Sequence, residues 1–207
     1  MAFGDSMTYG VIALNAPLFR LVSLPGSYPA RLESLLVARY TAQTIVVLNE
    51  GLGGETTDDG RRRLPGVLST DRPDVVLLME GANDVNQNHD LAVDLVAGNM
   101  RTMISEAGGA GSLVYLATLP PQIPGGARAG SPESVPLVNA RLASLAVETG
   151  AVLVDIYAAF GDGAGLIGPD GLHPTEAGYQ KIAETFYDAI VKTLEEPTTM
   201  SAIVRRR

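Results

Sequence analysis

With 207 residues, 46% of them apolar and 18% charged, the chain has the make-up of one globular domain with a substantial core, neither disordered nor membrane-spanning. A net charge of −8 argues against a nucleic-acid surface, which needs a concentrated basic face, and the lack of any cysteine excludes disulfides, thiolate catalysis and cysteine-based zinc sites. No apolar run approaches the roughly 20 residues of a membrane helix, so no integral membrane segment is expected.

Residues 1–3 read as the end of a first strand. A buried strand usually has about 5–6 residues, so an upstream segment is expected that carries more of the strand, a linker or an export signal. Cellular location therefore stays open between export and the cytoplasm. A long Gly- and Pro-containing connection over 9–27 follows, then a helix from Pro29 to about Tyr40 with a stripe of Leu32, Leu35 and Leu36. Residues 44–48 predict a second strand and 74–79 a third. Ile45-Val46-Val47-Leu48 and Val75-Val76-Leu77-Leu78 are apolar at every position, which suits strands covered on both faces. A helix over 92–107, a strand over 112–118, a second long connection over 120–134, a helix over 135–149 and a strand over 151–154 come next. The last helix spans 175–194, with Thr175 as its cap and Ile182, Phe186, Ile190 and Leu194 four residues apart. Residues 1–194 thus form one domain and 195–207 a frayed tail. The basic runs Arg61-Arg62-Arg63 and Arg205-Arg206-Arg207 are expected to be a solvated helix face and part of that tail.

Alternation of strand and helix implies an α/β fold of three α/β/α layers around a parallel sheet. In such sheets ligands bind beyond the carboxyl ends of the strands, where both long connections lie. The apolar residues Leu14, Pro17, Leu18, Phe19, Leu21 and Val22 of the first connection either wall an acyl pocket or pack against the body.

Four short blocks carry chemistry. Gly4-Asp5-Ser6 places a hydroxyl on the turn after the first strand, although alone it is an ordinary turn. Gly53-Gly54-Glu55-Thr56 and Gly81-Ala82-Asn83-Asp84 offer backbone N–H groups and a side-chain amide to a developing oxyanion. Asp170-Gly171-Leu172-His173-Pro174 pairs an imidazole with a carboxylate three residues upstream. The other histidine, His89, sits in the polar stretch Asn86-Gln87-Asn88-His89-Asp90, which reads as an exposed loop or helix start. Asp5 and Asp84 are expected to bond local backbone, Met7, Tyr9 and Met79 to pack, and Pro174 to fix its turn.

Together the blocks resemble the SGNH superfamily, the GDSL-type esterases and lipases. The likeness runs through Phe3-Gly4-Asp5-Ser6-Met7-Thr8 (with Met in place of the usual Leu), Gly54-Glu55-Thr56, Gly81-Ala82-Asn83-Asp84 and Asp170-Gly171-Leu172-His173-Pro174. It implies a flavodoxin-like five-stranded parallel sheet of order 2-1-3-4-5, Ser6 as nucleophile, and Asp170 and His173 as the rest of a triad. The oxyanion hole would comprise the N–H groups of Ser6 and Gly54 and the Asn83 amide. Activity on short-to-medium acyl esters, lysophospholipase- or arylesterase-like, is the expectation, with removal of O-acetyl groups from carbohydrate as the alternative.

Such a reaction needs no metal or organic cofactor, and its only expected partner is a small-molecule ester. A metallophosphoesterase is a poor rival, because a dinuclear site needs more histidine than two residues supply. A catalytically inert binding module using the same crevice is the non-enzymatic alternative. Oligomeric state is not legible.

Overall fold

The structure, a computed structural model, describes residues 1–13 and 20–195. In chain order the elements are β1 (Ala2–Gly4), α1 (Ser6–Tyr9), β2 (Val11–Ala13), β3 (Arg20–Val22), α2 (Tyr28–Arg39), β4 (Asn49–Gly51), α3 (Thr57–Asp71), β5 (Val75–Met79) and α4 (Ala82–Asn88). A 3₁₀ turn at His89–Leu91 leads into α5 (Ala92–Gly109), β6 (Leu113–Ala117), α6 (Val135–Thr149), β7 (Val152–Val154), α7 (Ile156–Phe160) and α8 (Glu176–Glu195). The main sheet has the order β4-β1-β5-β6-β7, all parallel. Counted over its own strands this is 2-1-3-4-5, the order the resemblance implied.

Side chains alternate across each strand, and the helices cover both faces. Val76 and Leu78 of β5 point into a core shared with Leu64 and Leu68 of α3, Met100 and Met103 of α5 and Leu142 of α6. Leu77 and Met79 point the other way, toward Tyr28 and Leu32 of α2 and Tyr179, Ile182 and Phe186 of α8. The Tyr28 and Phe186 rings stack at 5.3 Å between centroids. This two-sided burial is why β5 reads as a continuous apolar run.

Residues 44–48 correct the second predicted strand, which lies further on, at β4. Its ladder partner is β1, in the register Ala2↔Asn49 to Gly4↔Gly51, so 44–47 lie ahead of any β1 partner and only the Leu48 carbonyl meets β1, accepting from the Ala2 N–H at 2.8 Å. Val46 is accordingly 63% exposed despite its apolar context. These residues instead border a groove of about 490 Å³ with residues 71–75, Leu32, Leu36, Ile190 and Leu194. The groove sits at the amino ends of the strands, whereas Ser6 follows the carboxyl end of β1.

Several elements were not predicted, the short helices α1 and α4 among them. α3 is closed by a capping box, Thr56 with Asp59, but its Gly60, Pro65, Gly66 and charged first turns hide the apolar stripe of Leu64 and Leu68. The 9–27 connection contains the antiparallel pair β2–β3, with residues 14–19 outside the described residues. α7 is a short turn capped by Asp155. The predicted tail lies, from residue 196, outside the described residues too. Among the described residues no helix is long and apolar enough to cross a membrane.

Candidate active site

Ser6 opens α1 immediately after β1. Asp5 caps that helix, its Oδ1 accepting from the Met7 N–H at 2.9 Å. Such a tight strand-to-helix turn requires Gly4: a Cβ there would lie 2.0 Å from the Met79 carbonyl oxygen and 2.6 Å from the Thr8 hydroxyl. The Ser6 hydroxyl is therefore held over the carboxyl edge of the sheet. Its N–H, in the first turn, has no intrahelical acceptor and stays available to a ligand.

The loop before α8 brings the imidazole. Asp170 Oδ1 accepts from the backbone N–H groups of Leu172 and His173, both at 3.0 Å, which closes the turn. Its Oδ2 lies 2.6 Å from His173 Nδ1, and His173 Nε2 lies 2.9 Å from Ser6 Oγ. All three side chains are buried. Burial alone would push the Asp170 carboxyl up, but the bonds from the His173 ring and from the His173 and Leu172 N–H groups outweigh it and hold it below its ordinary value. An ionised carboxylate can only accept. Nδ1 must then carry the ring proton, and the Nε2 lone pair faces the hydroxyl.

Gly54 lies on the turn after β4, and Asn83 in the first turn of α4, which follows β5. Space is open around both Gly53 and Gly54, since a Cβ on either would meet nothing within 4 Å. Asn83 Nδ2 donates to the Glu55 carbonyl at 2.8 Å, which fixes the amide's orientation and leaves its second hydrogen unspent. The sequence-predicted Ser6, Asp170 and His173 are thus brought into one hydrogen-bonded chain, and the Asn83 amide is tied to the turn that carries Gly54. His89, at φ +51°, is exposed on its turn.

Several neighbours differ from expectation. Asp84 does not bond local backbone: it receives the Thr57 N–H at 2.8 Å and hydroxyl at 2.7 Å, pinning α4 to the start of α3. Tyr9 is 38% exposed, whereas Met7 and Met79 are packed as expected. Arg61 and Arg62 pair with Asp58 and Asp59 on a solvated face, but Arg63 turns inward. It forks onto the buried Glu55 at 2.7 and 2.6 Å, and its guanidinium lies 4.1 Å from the Phe3 ring centre. Leu21 and Val22, at 53% and 42% exposure, do not pack against the body. Leu14, Pro17, Leu18 and Phe19 lie outside the described residues.

Sequence reading also missed Asn86 and Gln122. Asn86 accepts from Gln122 Nε2 at 2.8 Å and from the Gly130 N–H at 3.1 Å, and donates to the Arg128 carbonyl at 3.0 Å. The clamped loop in turn bonds the Asp170–His173 turn, through Arg128 N–H to Asp170 O at 2.8 Å and Ile123 N–H to Gly171 O at 2.9 Å. The available signal was the i, i+3 spacing of Asn86 from Asn83.

The family described as GDSL-like Lipase/Acylhydrolase matches residues 2–181. An acetylxylan esterase of Geobacillus stearothermophilus is 28% identical over 177 residues, 79% of this chain and 80% of the relative. An arylesterase of Vibrio mimicus is 31% identical over 105 residues, 51% of this chain and 46% of the relative. Among solved structures, a lipase/acylhydrolase from Enterococcus faecalis superposes with a TM-score of 0.78 at 25% identity, covering 93% of this chain and 94% of that one. An acetylxylan esterase structure from Geobacillus stearothermophilus gives 0.73 at 27% identity, covering 91% and 92%. The chain belongs to the GDSL-like lipase/acylhydrolase family, the SGNH hydrolases, and is a carboxylic ester hydrolase.

Proposed function

We propose that the chain hydrolyses short-chain acyl esters through an acyl-enzyme on Ser6, with His173 as general base and acid and Asp170 as the carboxylate that orients it. The observation that carries this is the continuous chain from Ser6 Oγ through the His173 ring to Asp170, at 2.9 and 2.6 Å. As Ser6 Oγ attacks the ester carbonyl carbon, its proton passes to His173 Nε2. The carbonyl oxygen becomes an oxyanion, bonded by the N–H groups of Ser6 and Gly54 and by Asn83 Nδ2. The imidazolium returns the proton to the departing alcohol. Water then gives a proton to the same nitrogen as its oxygen attacks the acyl carbon, and the imidazolium passes that proton to Ser6 Oγ as the acyl C–O bond breaks, releasing the acid and the free hydroxyl.

A narrower reading, removal of acetyl groups from carbohydrate hydroxyls, draws support from the acetylxylan esterase similar to this chain over about four-fifths of both lengths. It fits the open space beside Gly53 and Gly54, which can admit a bulky alcohol part. A series of p-nitrophenyl esters from acetate to palmitate, run beside an acetylated xylo-oligosaccharide, tests both. Activity should fall steeply beyond short chains, and Ser6→Ala should abolish it. Uniform rates along the series would refute the short-chain preference, and an inert acetylated sugar would refute the narrower reading.

A further inference from the structure

Each proposed oxyanion donor has a buried acid beside it in sequence: Asp5 precedes Ser6, Glu55 follows Gly54 and Asp84 follows Asn83. A fourth, Glu80, ends β5 just before the Gly81–Asp84 turn and is completely buried. Its carboxyl lies against α3 in the space that Gly60 leaves: a Cβ on Gly60 would sit 2.2 Å from Glu80 Oε2. Neither Glu80 oxygen receives a hydrogen bond.

Arg63 is the cation that faces it, but four of its five N–H donors are spent elsewhere and none bonds Glu80. Nε and Nη2 go to Glu55, Nη1 reaches Glu50, and Nη2 also bonds the Glu50 carbonyl. Leaving Glu80 ionised and unpaired in this interior would cost several kcal/mol. The groups facing it are Glu55 on the Gly54 turn, Asp5 at the head of α1, Asp84 on α4 and, from α3, Arg63. Glu55 is the one within hydrogen-bonding reach. These carboxyls do not converge on a cation, since among the described residues no three acids or histidines are grouped to hold one.

We infer that Glu80 is a positioning residue for ester hydrolysis: as the neutral acid it donates its proton to the Glu55 carboxylate and so ties the Gly54 turn to the turn that carries Asn83. Burial first, then the charges of Glu55 and Asp5, push the Glu80 carboxyl well above its ordinary value, which favours the neutral, proton-donating form. Once Glu80 ionises, two carboxylates face each other between the turns. They part, and the oxyanion donors lose register. A misplacement of this kind lowers kcat and leaves KM nearly unchanged, because the donors engage charge that develops only in the transition state.

The inference rests on the Ser6 reading above, and the experiment separates the two. kcat and KM for 1-naphthyl acetate are measured from roughly pH 5 to 10, per active site titrated with an organophosphonate, for wild type, Glu80→Gln and Glu80→Ala. Glu80→Gln, whose amide can donate to Glu55 but cannot ionise, should stay within about threefold of wild-type kcat at pH 7 and lose the alkaline fall. Glu80→Ala should lose roughly tenfold or more in kcat with KM little changed. An alkaline fall shared unchanged by wild type and Glu80→Gln, or absent from wild type, overturns the inference, as does wild-type kcat in Glu80→Ala. If Glu80→Ala fails to fold, the two remaining profiles still decide. Organophosphonate labelling of Ser6→Ala at the wild-type rate would instead sink the Ser6 reading itself.

Discussion

The Asn83 amide spends one hydrogen on the Glu55 carbonyl, and the proposed mechanism gives the other to the substrate oxygen. Losing one such donor removes transition-state stabilisation without touching the core, so Asn83→Ala should lower kcat by about 10²–10³ and leave the melting temperature within a few degrees of wild type. Steady-state kinetics beside a thermal melt checks this; unchanged kcat would remove Asn83 from the oxyanion hole. Ser6, Asp170 and His173 could be picked out in sequence because the chemistry narrows the field. The chain has two histidines, and one of them follows a carboxylate at the spacing of a tight turn. Glu80 and the inward-facing Arg63 could not. Each reads as an ordinary charged residue, one at the end of an apolar run and one in a basic triplet. Their roles arise only when the turn after β4 and the end of β5 meet beneath α3.

Among the elements, the loop over residues 120–134 is the clearest case of a segment built to support the site. It lacks regular structure for most of its length, yet Asn86 on α4 binds it through three hydrogen bonds, and the loop binds the Asp170–Gly171 backbone through two. Asn86→Ala would leave the Gln122 amide and the Gly130 N–H without their acceptor. The expected cost is about 1–3 kcal/mol of stability. kcat should also fall several-fold, because the acid–base turn loses its support. Urea denaturation and kinetics on the same preparation check both; a stable variant with intact kcat would show the clamp to be idle. The strands with apolar faces on both sides, β5 and β6, and the helices with an uninterrupted stripe, α2, α5, α6 and α8, were legible. Short-range pattern failed where pairing or capping decides. β4 is set by register with β1 and carries Asn49-Glu50-Gly51, no strand former among them. α3 is set by Thr56 and Asp59 at its start, in spite of Gly60 and Pro65 inside it.

Over the whole molecule, the buried acids beneath the site set how stability varies with pH. Asp5 is pushed from 3.8 to about 7, by burial first and also by the charges of Asp84 and Glu55, against the bond it accepts from the Met7 N–H. Glu80 and Asp84 are raised as well, chiefly by burial. For each of these the folded state holds a proton that the unfolded chain releases near its ordinary value. The stabilisation is therefore complete below about pH 4 and disappears as pH climbs through the folded-state value. Asp170 has the opposite sign: its lowered value adds stability above its ordinary range, which fades in acid. The lowered acids Asp58, Glu148 and Glu195 share that second sign, but they are solvent-exposed and screened, so the buried group prevails. Between pH 8 and 5.5 Asp5 alone should add about 2 kcal/mol, or roughly 4–8 °C in the melting temperature of a domain this size. Asp5→Asn keeps an acceptor for the Met7 N–H but cannot titrate, so its melting temperature should vary less over the same interval. A melting temperature that rose toward pH 8, or an Asp5→Asn profile as steep as wild type, would place the titrating protons somewhere other than this buried cluster.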